Sequence, residues 1–409
     1  MRQPSLHFVL QALLVLGHGV VGRPNGQDGS CGGPAAAKAI YMITNDESNG
    51  VVALPVGRDG KLSKGTVTST QGRGSVALHS DGKPATPDAL VSQSALTIAG
   101  KHIFAVNAGS NTLSMLAISA ADPTKLSLVG QPVAIPGEFP NTVAASAKNS
   151  LVCVGTTGSK SGISCSPFSD AGLRPMDELR PFDLGQTTPP VGPTNTVSQV
   201  FFSADESQLF CTVKGDPATN KTGFFSAFPV ERQAPCRGGA GSATLSKTDT
   251  RSVPEGSAVL FGSQTIPGTS NVFATDASFG GMILSINQTS RVATTVAKSP
   301  IQGQAATCWV AISSTRGTAF VTDVAVNRLV EMSLKDASIV SEMNLSANGD
   351  PGLIDLRTAG QFLYALSPGN GTTEGAVTVV DLAGSAKMVQ HFGLRGMAGK
   401  RAQGMAVLV

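Results

Sequence analysis

The stretch Ala99–Ile118, AGKHIFAVNAGSNTLSMLAI, decides the fold. Ile103–Val106 is a short apolar run. Asn107-Ala-Gly-Ser-Asn111 is turn chemistry, because Gly and Asn tolerate left-handed backbone. Leu113–Ile118 then resumes as a second apolar run. The stretch therefore reads as strand, tight turn, strand.

Working outward, the same unit returns along the chain. AGKHIFAVN (Ala99–Asn107) parallels AGQFLYALS (Ala359–Ser367), and RGTAFVTD (Arg316–Asp323) parallels NVFATD (Asn271–Asp276). One large apolar residue marks each copy: Tyr41, Phe104, Val152, Phe210, Phe273, Phe320 and Tyr364. A further strand follows each turn, as in MILSIN, RLVEMSL and AVTVVDL, and another precedes some units, as in TVAAS, VSQVFFS and TCWVAIS. Three or four short antiparallel strands in a repeat of roughly 45 residues form a propeller blade. A blade cannot cover both of its faces alone, so seven of them are expected to close into a ring.

The fold class is thus all-β, a seven-bladed β-propeller over residues 39–409. No strand of the TVAAS type precedes Ala39, whereas the tail Gln403–Val409 resembles Gly303–Ser313. That tail is expected to be the innermost strand of the first blade and to lock the ring. Gln71–Val91, Phe168–Thr196 and Gln233–Val253 are rich in Gly, Pro, Asp or Ser and read as loops on the propeller faces. Lys400-Arg401 reads as an uncut surface pair, since cleavage there would release the locking strand.

Composition agrees with a packed, loop-rich chain. It has 409 residues with 47 Gly, 24 Pro, 14% charged residues and a formal net charge of +3. No Lys/Arg cluster forms an electrostatic footprint, so no nucleic-acid partner is expected. Residues 1–22 pair one Arg with the apolar core Phe8–Leu16 and then small residues, the pattern of a secretory signal peptide, followed by an N-terminal arm at 23–38. That core is too short to cross a bilayer, which takes ~20 residues, so no membrane span is expected. Secretion makes the sequons at Asn220, Asn287, Asn344 and Asn370 expected glycosylation sites. It also gives the six cysteines a disulfide context. Cys153 and Cys165 fall on successive strands and are expected to pair. Cys211 with Cys236 is a second expected pair, which leaves Cys31 and Cys308 for a third.

The segment Pro87–Ile118, with D-x-L-x-S-Q-x-x-L leading to N-A-G-S-N-T-x-S, resembles secreted fungal and bacterial lactonase-type propellers of the 3-carboxymuconate cyclase-like group. Gly137–Ser146, GEFPNTVAAS, resembles the next piece of that pattern. The resemblance implies a seven-bladed propeller. Enzymes of the group open or close lactones, and secreted relatives also occur as cell-wall glycoproteins and antigens. A cyclising enzyme would need a proton-transfer residue and cations for its carboxylates.

The candidates for that chemistry are Arg73, His79 and Glu138, with Asp88, Arg180 and Glu255 as further options. His102 stands where the parallel repeat has Phe362 and reads as structural, and His391 reads as part of an outer strand. Asn141, Asn195, Gln304 and Gln403 open the inner strands and read as amides around a watery channel. Asn141, Asn195 and Asp88 could also supply part of a calcium set. No GxSxG, HExxH, P-loop or dinucleotide fingerprint occurs, and no cofactor is expected. Ring-cleavage products are handled inside cells, so a secreted glycoprotein that binds matrix proteins or cell-wall polysaccharide is the first expectation. An extracellular lactonase or cyclase is the alternative.

Overall fold

A computed structural model describes residues 36–232 and 243–409. The expected signal peptide, most of the N-terminal arm, Cys31 and Cys236 lie outside the described residues. No helix among the described residues is long and apolar enough to cross a membrane.

Seven antiparallel sheets of four or five strands make the seven blades. The innermost strands of blades 2 to 7 are Leu96–Ala99, Pro140–Ser146, Val197–Phe202, Leu260–Thr265, Thr307–Ser313 and Ile354–Ala359. Blade 1 takes its innermost strand from Gln403–Leu408, which pairs antiparallel with Ala39–Ile43. The C-terminal segment therefore closes the ring, as its likeness to Gly303–Ser313 implied.

The seven marker residues all lie on the second strand of a blade and are all buried. They pack between blades: five apolar clusters each join strands of neighbouring blades, as Cys153 and Val200 do between blades 3 and 4. Two markers are tyrosines because their hydroxyls reach the next blade. Tyr41 donates to the Pro123 carbonyl (2.7 Å) and Tyr364 to the Gly60 carbonyl (3.0 Å). A buried hydroxyl without such a partner would carry a desolvation penalty.

The repeated Thr-Asp at the end of two second strands also has a physical reason. The Asp276 carboxylate accepts the Ala258 and Val259 amides, and Asp323 accepts the Ala305 and Ala306 amides. Each aspartate thus ties down the segment that enters its own blade's inner strand.

Two inserts differ from the expectation of plain loops. Within Phe168–Thr196, Gly172–Leu173 and Arg180–Pro181 pair with the third strand of blade 3. Within Gln233–Val253, Ala243–Leu245 and Thr250–Ser252 pair with the third strand of blade 4. These inserts sit where a blade needs its outer strand, and an open strand edge recruits whatever follows.

Candidate functional site

The link from blade 1 to blade 2 fills the axis of the ring. Residues 90–94, Leu-Val-Ser-Gln-Ser, bond to the inner strands of blades 3, 4, 6 and 7. The Leu90 carbonyl accepts from Asn141 Nδ2 (3.3 Å), Ser92 Oγ donates to the Asn141 carbonyl (2.7 Å), and Trp309 Nε1 donates to the Ser92 carbonyl (3.0 Å). The Gln93 amide N–H donates to the Ser198 carbonyl (2.9 Å), and the Ser94 amide to Asp355 Oδ2 (3.1 Å). Val91 and Ser94 take positive φ, 49° and 68°, which turns the segment inside the channel. Gly262 permits this approach, since a Cβ there would lie 2.1 Å from Gln93 Oε1.

This plug changes the reading of the channel amides. They were expected to line a watery channel. Asn141 and Gln403 instead hold the linking segment, Gln403 through the Pro87 carbonyl (2.8 Å). Gln304 donates to the Ala277 carbonyl (3.1 Å), and Asn195 to Asp216 Oδ2 (3.3 Å). A backbone segment in a channel carries polar groups that need partners, and side-chain amides supply them. Among the described residues no three His, Cys, Asp or Glu side chains converge as a metal site needs, and of the residues expected for part of a calcium set Asn195 is turned to Asp216.

The plug leaves a chamber on either side. The front chamber lies at the face where inner strands begin and encloses about 310 Å³. Its wall is mostly apolar, with Val91, Val259, Phe261, Ala306 and Val324. Four side chains with chemistry also line it: His79, Asp88, Lys214 and Cys308. The inserts Gln71–Val91 and Phe168–Thr196 meet above it, where the Leu78 amide donates to the Pro190 carbonyl (2.9 Å).

Lys214 is fully buried, yet its ammonium is well held. Nζ donates to the Val91 carbonyl (2.7 Å) and to Ser198 Oγ (3.1 Å), and it sits 4.3 Å from the centre of the Phe261 ring. Burial still brings its ionisation point down, against the pull of Asp88. Asp88 is half-buried as a residue, but its Oδ1 is enclosed and has no hydrogen-bond partner among the described residues. Burial pushes that carboxyl up, with Lys214 and then the Val91 and Ser92 backbone amides opposing the rise. Such a pair titrates as a unit, and near neutral pH it can take up and release a proton. Cys308 is a buried thiol whose ionisation is pushed well above the ordinary range by burial, so it contributes shape and not nucleophilicity.

Of the residues expected from sequence, His79 and Asp88 reach the front chamber. Arg73 and Glu138 do not. Arg73 is exposed, and its guanidinium donates to the Gly109 carbonyl (3.4 Å). Glu138 Oε2 accepts Ser159 Oγ and Thr188 Oγ1, each at 2.6 Å, and these bonds hold its carboxyl below the usual range. Arg180 forks onto Asp177 and the Leu245 and Ser246 carbonyls, so it clamps blade 3 to blade 4. Glu255 is exposed. His102 is buried with Nε2 3.6 Å from Asp170, and His391 lies on the outer strand Lys387–Gly393, 3.0 Å from Asp350. Neither lines the front chamber.

The Cys153–Cys165 disulfide is present, across directly paired positions of the second and third strands of blade 3. Among the described residues Cys211 and Cys308 are buried and form no bridge, and their expected partners Cys236 and Cys31 lie outside the described residues. Asn220, Asn287, Asn344 and Asn370 are all exposed.

Lys214 was missed from sequence, though a signal existed. It directly follows the second strand of blade 4, near where other blades carry Asp276, Asp323 or Ser367. A lone lysine in that place departs from the repeat.

No family model matches the chain, and no curated protein matches it. Solved structures do. A protein of Bacteroides fragilis provisionally named 6-phosphogluconolactonase superposes with a TM-score of 0.55 at 11% identity, over 91% of this chain and 98% of that one. Its Bacteroides uniformis counterpart gives 0.52 at 13% identity, over 70% and 80%. A hypothetical selenium-binding protein of Sulfolobus tokodaii gives 0.57 at 8% identity, over 91% and 93%. These likenesses agree with the propeller fold and show the fold alone.

Proposed function

We propose that the chain is a propeller lactonase that hydrolyses a small, uncharged lactone in the front chamber. The observation that carries this is the enclosed, unpartnered Asp88 Oδ1 sharing a 310 Å³ apolar chamber with the Lys214 ammonium. The propeller fold shared with proteins provisionally named as lactonases adds support.

Ionised Asp88 is the general base. It takes a proton from a water, whose oxygen bonds to the lactone carbonyl carbon. Charge develops on the carbonyl oxygen, and Lys214 stabilises it from the dry wall of the chamber. The ring C–O bond then breaks, and the leaving alkoxide recovers the proton from Asp88. The product is a hydroxy acid, and the base is restored.

The chamber favours an uncharged substrate over a carboxymuconate. A tricarboxylate calls for several cations, while Lys214 is the sole Lys or Arg in this apolar wall among the described residues. The test is acid release from a panel of uncharged γ- and δ-lactones. Turnover that falls at least a hundredfold in Asp88→Asn supports the assignment. Equal turnover in that variant, or none by the wild-type protein with any lactone, overturns it.

A second reading is a glycosylated surface protein that binds matrix proteins or cell-wall polysaccharide. The exposure of all four sequon asparagines favours it. Saturable binding to such polymers that is unchanged in Asp88→Asn is its expected sign.

A further inference from the structure

We infer that the chamber behind the plug is a second binding site, selective for a small organic carboxylate and anchored by Arg357. It opens at the face where the inner strands end, encloses about 230 Å³, and is lined by Gln93, Gln199, Phe202, Ser263, Gln264 and Arg357. The plug separates it from Asp88 and Lys214.

The polar groups of this chamber are not balanced. Every amide oxygen is already used. Gln93 Oε1 accepts the Val310 amide (3.2 Å), Gln199 Oε1 accepts the Ser263 amide (2.6 Å), and Gln264 Oε1 accepts the Ile312 amide (2.8 Å). Donors remain. Ser263 is buried, and its Oγ has no partner. Gln264 Nε2 and Arg357 Nε have no acceptor among the described residues. The chamber therefore holds free donors in excess, with the Ser263 hydroxyl able to serve either way, which suits an acceptor-rich ligand.

Arg357 is oriented for such a ligand. Its Nη1 donates to Asp355 Oδ1 (2.6 Å) and the Leu356 carbonyl (2.6 Å), and its Nη2 to Ser94 Oγ (3.0 Å). Asp355 is fully buried, and its Oδ2 accepts two backbone amides, from Ser94 and Met405 (3.1 Å each). One edge of the guanidinium is thus locked while its side chain stays 21% exposed. A planar carboxylate can pair with the open edge and take further bonds from both Ser263 and Gln264. The small volume limits the ligand to a few heavy atoms around the carboxylate.

Titration of the full chain with acetate, glycolate, inorganic phosphate and glucose, followed by calorimetry and by thermal shift, tests this site. Acetate or glycolate should bind saturably and raise the melting temperature. Gln264→Leu and Ser263→Ala should each weaken that binding at least fivefold, while Asp88→Asn should leave it unchanged. Arg357→Lys should weaken it while keeping a cation beside Asp355. No saturable carboxylate binding, binding indifferent to all three back-chamber variants, or a preference for phosphate or glucose would each overturn the assignment. The readout is binding in the wild-type protein, so it stands apart from any test of lactone turnover.

Discussion

Gln93 and Val310 are bonded as two strand residues would be, although only one of them is in a strand. The Gln93 side-chain amide donates to the Val310 carbonyl (2.9 Å) and accepts the Val310 amide (3.2 Å), across 217 positions of sequence. The side chain satisfies the channel-facing edge of blade 6. Gln93→Leu keeps the bulk and leaves both Val310 groups unpaired, at a cost of about 2–4 kcal/mol. A clear loss of thermal and denaturant stability, with an unchanged circular dichroism spectrum at low temperature, is the expected result.

Asp88 and Lys214 set a narrow pH window for turnover. The working form has Asp88 ionised and Lys214 protonated. If the chamber hydrolyses lactones as proposed, activity should rise as the pair gives up its first proton, from a carboxyl that burial raises, and fall as it gives up its second, from an ammonium that burial lowers. Lys214→Arg keeps the charge at all accessible pH and should abolish the alkaline fall. A kcat/KM profile that keeps that fall in the variant would assign it to another group.

Glu331 should make the fold sensitive to acid. Its carboxylate is buried, forks with Arg316 (3.0 Å to each oxygen), and also accepts Thr318 and Ser341 hydroxyls. Burial alone would raise its pKa, but these bonds win and hold it below the ordinary carboxyl range. Stability from this group is therefore present above the unfolded carboxyl's value, ~4.3, and lost as pH falls through the lower folded value. Glu331→Gln should cost about 2–3 kcal/mol at neutral pH, after allowance for the partly exposed Arg316. It should also flatten the acid limb of stability against pH.

The Cys153–Cys165 bridge closes a loop with a sequence separation of 12. Replacing both residues by Ala should cost about 3 kcal/mol, chiefly by freeing the unfolded chain. In the folded protein Cys211 should stay silent to a thiol reagent, because it is buried and its thiol is hard to ionise. Rapid native labelling there would show that blade 4 opens.

How much of this was legible in the sequence follows from the range of the interactions. Tyr41, Phe104 and Tyr364 could be aligned because each blade repeats one local strand pattern. The likeness of Gln403–Val409 to Gly303–Ser313 was enough to place the closing strand, and strand periodicity placed Cys153 beside Cys165. The channel was not legible in this way. Gln93, Ser94 and Asp88 lie in an irregular link, and their partners Val310, Asp355 and Lys214 lie on distant blades. No local pattern encodes such a meeting. Arg73 and Glu138 were chosen for being near the right segment, but chain proximity does not set which way a loop side chain points.

The closing strand Gln403–Leu408 bears on how the protein is made. Ala39–Ile43 leaves the ribosome long before the strand that completes its sheet. Until then, blade 1 offers an unpaired inner edge, and the flanks of blades 2 and 7 have no complete neighbour. Vectorial synthesis thus holds the nascent chain as an open arc with two sticky ends for most of translation. A nonsense change before Gln403 would leave it in that form, and its loss would follow from aggregation or proteolysis instead of from any defect in the chambers.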